Sequence, residues 1–409
     1  MFKRSFAPWA MAALIGSGLP AWGQGLPEGE GKQLAETLCV ACHETSLITE
    51  SRGYTREGWE NLFTTMVDVG PDLTPVLASY LATNFPEQPI PAGINRPGPA
   101  SVSISEWIVP TLGSRPHDPH AAEDGSLWWT GQWAHVLGRL DVETGEMREF
   151  PLPDGAGPHG LAEDLEGNMW YTGNWNGNMG KLDPNTGEVT EYPMPDPAAR
   201  DPHTPLVTPD GNVWFSLQNS DMMGRIVPQT GDVELVKLNP GDRPYGMNYD
   251  SNGVPFIGLR GTNGIISMDP ETMEVTEYPL PNPDSRPRRL AITADDMVFF
   301  ADMPRGDLGR LDPKTGEVKY WTSPGGPESL PYGIATIGNV VWYSESGTRP
   351  NTLVRFDPST EQFQTWTIPS GGGVVRHIMD TEDGNLVLAL SGVNRVAYVE
   401  VTEGGGTGQ

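Results

Sequence analysis

The stretch TLCVACHET, residues 37–45, contains Cys39, Cys42 and His43, and no other cysteine occurs in the 409 residues. Two thiols at this spacing suit a redox dithiol, half of a metal site, or covalent attachment to the vinyl groups of a porphyrin. Zinc asks for four ligands, and no second Cys/His cluster follows at a suitable distance. A redox dithiol asks for a βαβ setting, which the flanking sequence lacks. The histidine directly after the second cysteine favours the third chemistry: Cys39 and Cys42 would hold one haem c, with His43 carried onto the iron. Between His43 and the Pro/Gly-rich stretch at 87–102, Met66 is the only methionine and no further histidine occurs. Within this segment Met66 is therefore the best candidate for a sixth iron ligand; it also lies on an apolar helical stripe and would serve there as core, and a sixth position left open or filled by a histidine of the later repeats is the alternative.

A second set of chemistry-bearing residues recurs with a period of about 43 residues. Blocks open at Pro116, Pro158, Pro202, Pro244, Pro287 and Pro331, with a degenerate copy at Val375. The residue after each opening position reads His117, His159, His203, Tyr245, Arg288, Tyr332 and Arg376. Side chains of this kind converging on one axis would build a polar binding site at the mouth of a channel. Asp302 and Glu345 stand three residues past the repeated aromatic and are expected to add carboxylates to that mouth. The recurrent Trp128, Trp170, Trp214 and Trp342 suit packing between repeats, and runs such as Asp183 to Gly187 suit hairpin turns.

The elements that position these residues follow from the local pattern. Each block offers four short strands separated by turns, the pattern of a β-propeller blade. The seventh copy stops before its last strand, and SISEWIVP at 103–110 matches the missing piece. The expectation is a seven-bladed β-propeller over 103–401, closed by that N-terminal strand, with a flexible tail at 402–409. Ahead of it, residues 24–86 read as a small all-α haem domain. One helix leads from Glu28 to Cys42, and a second is capped by Thr55 and carries Trp59, Leu62, Phe63, Met66 and Val67. A third starts at Thr74-Pro75, with Thr74 as cap and Pro75 as first helical residue. Residues 1–23 read as a signal peptide, with a basic start, a short apolar run and small residues before the cleavage point. Export to the periplasm follows, with no membrane span after cleavage.

The formal net charge is −27. Nucleic acid and anionic membrane surfaces are poor partners for such a chain, whereas a basic protein or a cationic ligand suits it.

Residues 25–86 resemble a class I cytochrome c domain, on the Cys-x-x-Cys-His motif and the closing Tyr-Leu helix. The blade pattern, with Pro-His-Gly, Gly-Arg-Leu-Asp-Pro-x-Thr-Gly and Glu-Tyr-Pro-Leu-Pro, resembles the virginiamycin B lyase family of propellers. That second resemblance implies a Mg²⁺-dependent elimination that opens a cyclic ester, with His159, Asp201 and His203 in the positions of the family's reacting residues. Asp201 replaces the family's Glu, and Leu217 stands where a further carboxylate is wanted. An elimination is redox-neutral and needs no haem. The pairing of domains therefore favours electron transfer: the propeller holds a small molecule, and the haem passes electrons to a periplasmic partner. A carbon–oxygen lyase and a non-catalytic docking propeller are the alternatives.

Overall fold

The computed structural model describes residues 25–39 and 44–403. Cys42, His43, the signal-peptide reading and the end of the tail lie outside the described residues. Among the described residues the chain forms seven four-stranded antiparallel sheets, arranged as the blades of a propeller. The innermost strands begin at Pro116, Pro158, Pro202, Pro244, Pro287, Pro331 and Val375, the positions read from the repeat. In the seventh blade the outermost strand is Ser101–Ile108, paired along its length with Arg395–Thr402. The closing strand thus starts and ends two residues earlier than expected. Its partner runs to Thr402, into the segment assigned to the tail. First and last strands satisfy each other's backbone, so the ring leaves no free edge there.

The repeated tryptophans lie between blades. Trp128 packs with Leu161, Met169 and Tyr171 of the second blade, and Trp342 packs with Ile378 and Leu388 of the seventh. A second aromatic explains the glycine of the Gly-Arg-Leu-Asp-Pro run. Trp129, Tyr171, Phe215 and Phe300 sit directly across from Gly138, Gly180, Gly224 and Gly309 on the neighbouring strand. A Cβ on any of these glycines would fall 2.0–2.1 Å from the facing ring, so the ring takes the place of the missing side chain. The Asp-Pro-x-Thr-Gly runs are turns: Asp183 accepts from the Asn185 N–H at 2.8 Å and the Thr186 hydroxyl at 3.0 Å.

Residues 25–85 form a helical segment with its own buried cluster, including Leu26, Ile48, Trp59, Phe63, Leu77 and Leu81. The helices are shorter than the pattern suggested. A turn at Lys32–Leu34 runs on as a π-helical stretch, Ala35–Cys39, and a further turn covers Ser46–Thr49. Thr55 caps the Arg56–Met66 helix, accepting from the Gly58 N–H at 3.1 Å. That helix stops at Met66, and Val67 is already extended. In the Thr74–Asn84 helix the cap is Leu73, not Thr74. Thr74 is helical, and its hydroxyl turns back to the Gly70 carbonyl at 2.8 Å.

The Pro/Gly-rich stretch at 87–102, whose composition reads as a semi-rigid linker, is laid along the sixth blade. Arg96 exchanges backbone hydrogen bonds with Thr365, and the Arg349 N–H donates to the Pro91 carbonyl. Arg349 also places its guanidinium 4.2 Å from the centre of the Tyr54 ring and donates to the Gly53 carbonyl at 2.8 Å. At the other side, the Gly113 N–H donates to the Thr65 carbonyl at 3.1 Å. These contacts seat the helical segment on the propeller face where the innermost strands begin.

Candidate functional site

Each innermost strand breaks register just after its opening residue, for example between Pro116 and Pro119 and between Pro287 and Leu290. The same irregularity recurs in all seven blades. Such a bulge re-aims the side chains within it. Here those are the ring residues and their successors.

A hydroxyl from the neighbouring strand holds several bulges in place. The Asp118 N–H donates to Thr130 Oγ1 at 3.0 Å, and that hydroxyl donates to the His159 carbonyl of the next blade at 2.9 Å. Thr172 links Gly160 to His203 in the same way, and Ser216 links Thr204 to Tyr245. The Thr or Ser that follows the aromatic pair is therefore the fastener between adjacent ring positions. Its recurrence was visible in the sequence, but its role was not.

The expected ring residues are brought together. The rings of His117 and His159 lie 3.6 Å apart, those of His159 and His203 3.7 Å, and those of His203 and Tyr245 4.0 Å. Tyr245 and Tyr332 share a hydrogen bond between hydroxyls at 2.5 Å, and the Arg288 guanidinium lies over both rings. All three histidines are held well below their usual range, first by burial and then by neighbouring imidazole and guanidinium groups. They are neutral. His159 Nδ1 stands 3.0 Å from the His203 carbonyl, so it is the protonated nitrogen.

Tyr332 behaves differently. Burial alone would raise its pKa, but Arg288, Arg376 and Arg289 overcome this and hold it below the usual tyrosine range. Burial and the facing Tyr332 raise Tyr245. An absorbance titration of the folded protein is expected to show one tyrosine ionising below the ordinary range, a step absent in Tyr332→Phe. The depressed pKa favours the folded state fully above the ordinary tyrosine range, a contribution lost as pH falls through the lowered folded-state value. A band appearing only at the ordinary tyrosine value would refute the assignment.

Residues adjacent to the ring complete the site, and sequence reasoning missed them. Arg289 is buried and bonds Asp118 at 2.5 Å, while Asp118 also meets His117 Nδ1 at 2.9 Å. Burial pushes the Asp118 carboxyl up to about 6 even against that guanidinium. Where other blades have Gly160, Thr204, Gly246 or Gly333, these two have Asp118 and Arg289, a departure legible in the repeat. Arg115 and Arg260 come from loops. Burial and Arg376 pull Arg115 down to about 9, which leaves it cationic at neutral pH.

Three of the residues expected at the site do something else. Asp201 accepts from the Asn219 N–H at 3.0 Å and its side-chain amide at 2.7 Å, pinning a loop, with its pKa raised by burial to about 6. Asp302 is buried, accepts from the Arg286 N–H at 2.9 Å and faces Arg305. Glu345 is likewise buried and accepts from Ser323, the Gly325 N–H and Thr352. Neither adds a carboxylate to the mouth.

A cavity of about 880 Å³ separates the propeller face from the helical segment. Cys39, Trp59, Leu62 and Met66 line one side, and Arg115 and Arg376 the other. Met66 is outside the buried cluster of the helical segment and faces this space. The buried Trp59 indole N–H finds no partner among the described residues. A large cavity, walled on one side by apolar groups, with a cysteine and a methionine on its lining and an N–H available to a carboxylate, fits a haem c. Mg²⁺ fits less well. Hard cations take carboxylate oxygens, Asp201 is committed to Asn219, and Asp118 of the buried His117–Asp118–His159 group is already bonded to a guanidinium.

Fold and mouth together define a seven-bladed β-propeller with a buried ring of aromatic, imidazole and guanidinium groups. A model described as the virginiamycin B lyase family matches residues 94–261, and the propeller is virginiamycin B lyase-like. Among solved structures, a streptogramin B lyase is 25% identical with a TM-score of 0.67, covering 74% of this chain and 98% of its own. Virginiamycin B lyase from Staphylococcus aureus is 23% identical with a TM-score of 0.66, covering 73% and 99%. Hydrazine synthase from Kuenenia stuttgartiensis shares the fold at 14% identity and a TM-score of 0.59, covering 71% and 96%. No curated protein matches the chain. No helix among the described residues is long and apolar enough to cross a membrane.

Proposed function

We propose that this protein is an exported c-type cytochrome whose propeller holds a small molecule beside the haem, delivering electrons to a periplasmic partner protein. The reading rests chiefly on one observation: the cavity lined by Cys39 and Met66 is also lined by Arg115 and Arg376 of the propeller mouth. A ligand seated there would lie within the same enclosure as the redox group. Cys39 and Cys42 would hold the haem, with His43 and Met66 as its axial ligands. When bound, that group supplies a one-electron acceptor. The chain's own residues do the rest. Arg115 and Arg376 orient the ligand, and the helical segment shields it from water.

The family likeness supports a lyase reading of the same mouth. Two features count against it: the three histidines are weak bases when held so far below their usual range, and the Asp201 carboxylate is engaged by Asn219. A docking propeller without chemistry would leave the arginine cluster without a purpose.

The test is haem reduction by a panel of small molecules, followed in the absorption spectrum of the purified protein. At least one compound is expected to reduce it, about tenfold or more slowly in Arg376→Gln, the scale of one charge-assisted hydrogen bond. A protein without c-type haem, or a rate indifferent to Arg376, would end this reading.

A further inference from the structure

The chain has 26 basic side chains against 53 acidic ones, yet its propeller mouth gathers arginines. Arg289 is answered by Asp118. The others have only neutral partners: Arg115 donates to Gln132 Oε1 at 2.6 Å, Arg260 to Gln218 Oε1 at 2.9 Å, and Arg288 to Met303 Sδ at 2.6 Å. The buried Nε atoms of Arg288 and Arg376 find no partner among the described residues. Amide and thioether partners fix a guanidinium in place without offsetting its charge. No carboxylate among the described residues lies within ion-pair distance of these four guanidinium groups, and like charges held together in a buried site oppose folding.

We infer that the mouth is a receptor for a small diffusible organic anion, whose carboxylate is held by Arg115 and Arg376. This names the ligand class of the proposed site, and so rests on reading the mouth as a binding site. Guanidinium is the side chain best matched to a planar carboxylate, through two parallel hydrogen bonds. The cavity also offers Ile48, Leu62 and Val67 to the apolar remainder of such a molecule. The overall acidity of the chain suggested a cationic ligand, and the local field at the mouth reverses that expectation. A haem propionate carries the same carboxylate chemistry, and the experiment separates the two sources.

Sodium benzoate is titrated into the haem-loaded full chain by calorimetry, with choline chloride as the cationic control. Benzoate is expected to bind and choline is not. Arg376→Gln and Arg115→Gln each weaken binding by about tenfold or more, the scale of one charge-assisted hydrogen bond. Arg376→Lys recovers part of the loss, and an unchanged far-ultraviolet spectrum verifies that each variant is folded. The inference is overturned if benzoate fails to bind, if choline binds equally well, or if benzoate binds only to the haem-free Cys39→Ala, Cys42→Ala protein. The last outcome assigns the arginines to the propionates. A chain purified without haem would end the electron-transfer reading; benzoate binding to that chain, lost in Arg376→Gln, would still uphold this one, and no binding would overturn it.

Discussion

Alanine at both Cys39 and Cys42 is expected to abolish covalent haem, leaving no haem stain on a denaturing gel and no c-type pyridine haemochrome. Both thioether bonds of the proposed haem would depend on these two sulfurs, since the chain has no other cysteine. The same change should loosen the helical segment selectively. About 60 residues bury too little surface to be robust alone, and this segment's cluster lies beside a large cavity with an apolar wall. The propeller owes its stability to its own inter-blade clusters, so its unfolding transition should stay near the wild-type value while the helical signal melts earlier. Met66→Ala tests the axial position separately: the haem stays attached, the spectrum loses its thioether signature, and the potential falls. Equal haem content in wild type and the double variant would rule out attachment at these cysteines.

Asp118→Ala is expected to destabilise the propeller by about 3–5 kcal/mol, the usual consequence of leaving a buried charge without its partner. Arg289 is 1% exposed, and Asp118 is the carboxylate it bonds. The contact spans the ring, from the first blade to the fifth, so the loss reaches beyond one sheet. Combining Asp118→Asn with Arg289→Met should cost far less than the two single changes added together, because neither partner is then left charged and unpaired. Urea denaturation of the four proteins completes the cycle. Additive losses would show that the pair is not coupled, and the buried network would then have to be drawn differently.

Much of this architecture was legible in the sequence. The blade starts at Pro116 through Val375 were readable because one block of turns, aromatics and glycines recurs, and each feature answers a local steric need. Gly224 shows the limit of that reading: the sequence shows a repeated glycine, whereas the reason is the Phe215 ring lying over it. The ring residues were legible for the same cause, since periodicity places equivalent positions on one axis. Asp201, Asp302 and Glu345 were misplaced because spacing along a strand does not tell which way a loop-end carboxylate turns. In the folded protein the nearest unsatisfied donors, such as the Asn219 and Gly325 N–H groups, captured them.

By itself the sequence determined the repeat, the closing strand, the converging ring and the Cys-x-x-Cys-His motif, because each is written in residue types at fixed spacing. Only the tertiary structure decided the sign of the field at the mouth and what the mouth faces. Charge composition is a sum over the whole surface, and says nothing about which few groups meet in a buried place. There, arginines from separate blades and their loops stand together, and the wall opposite them carries Cys39 and Met66.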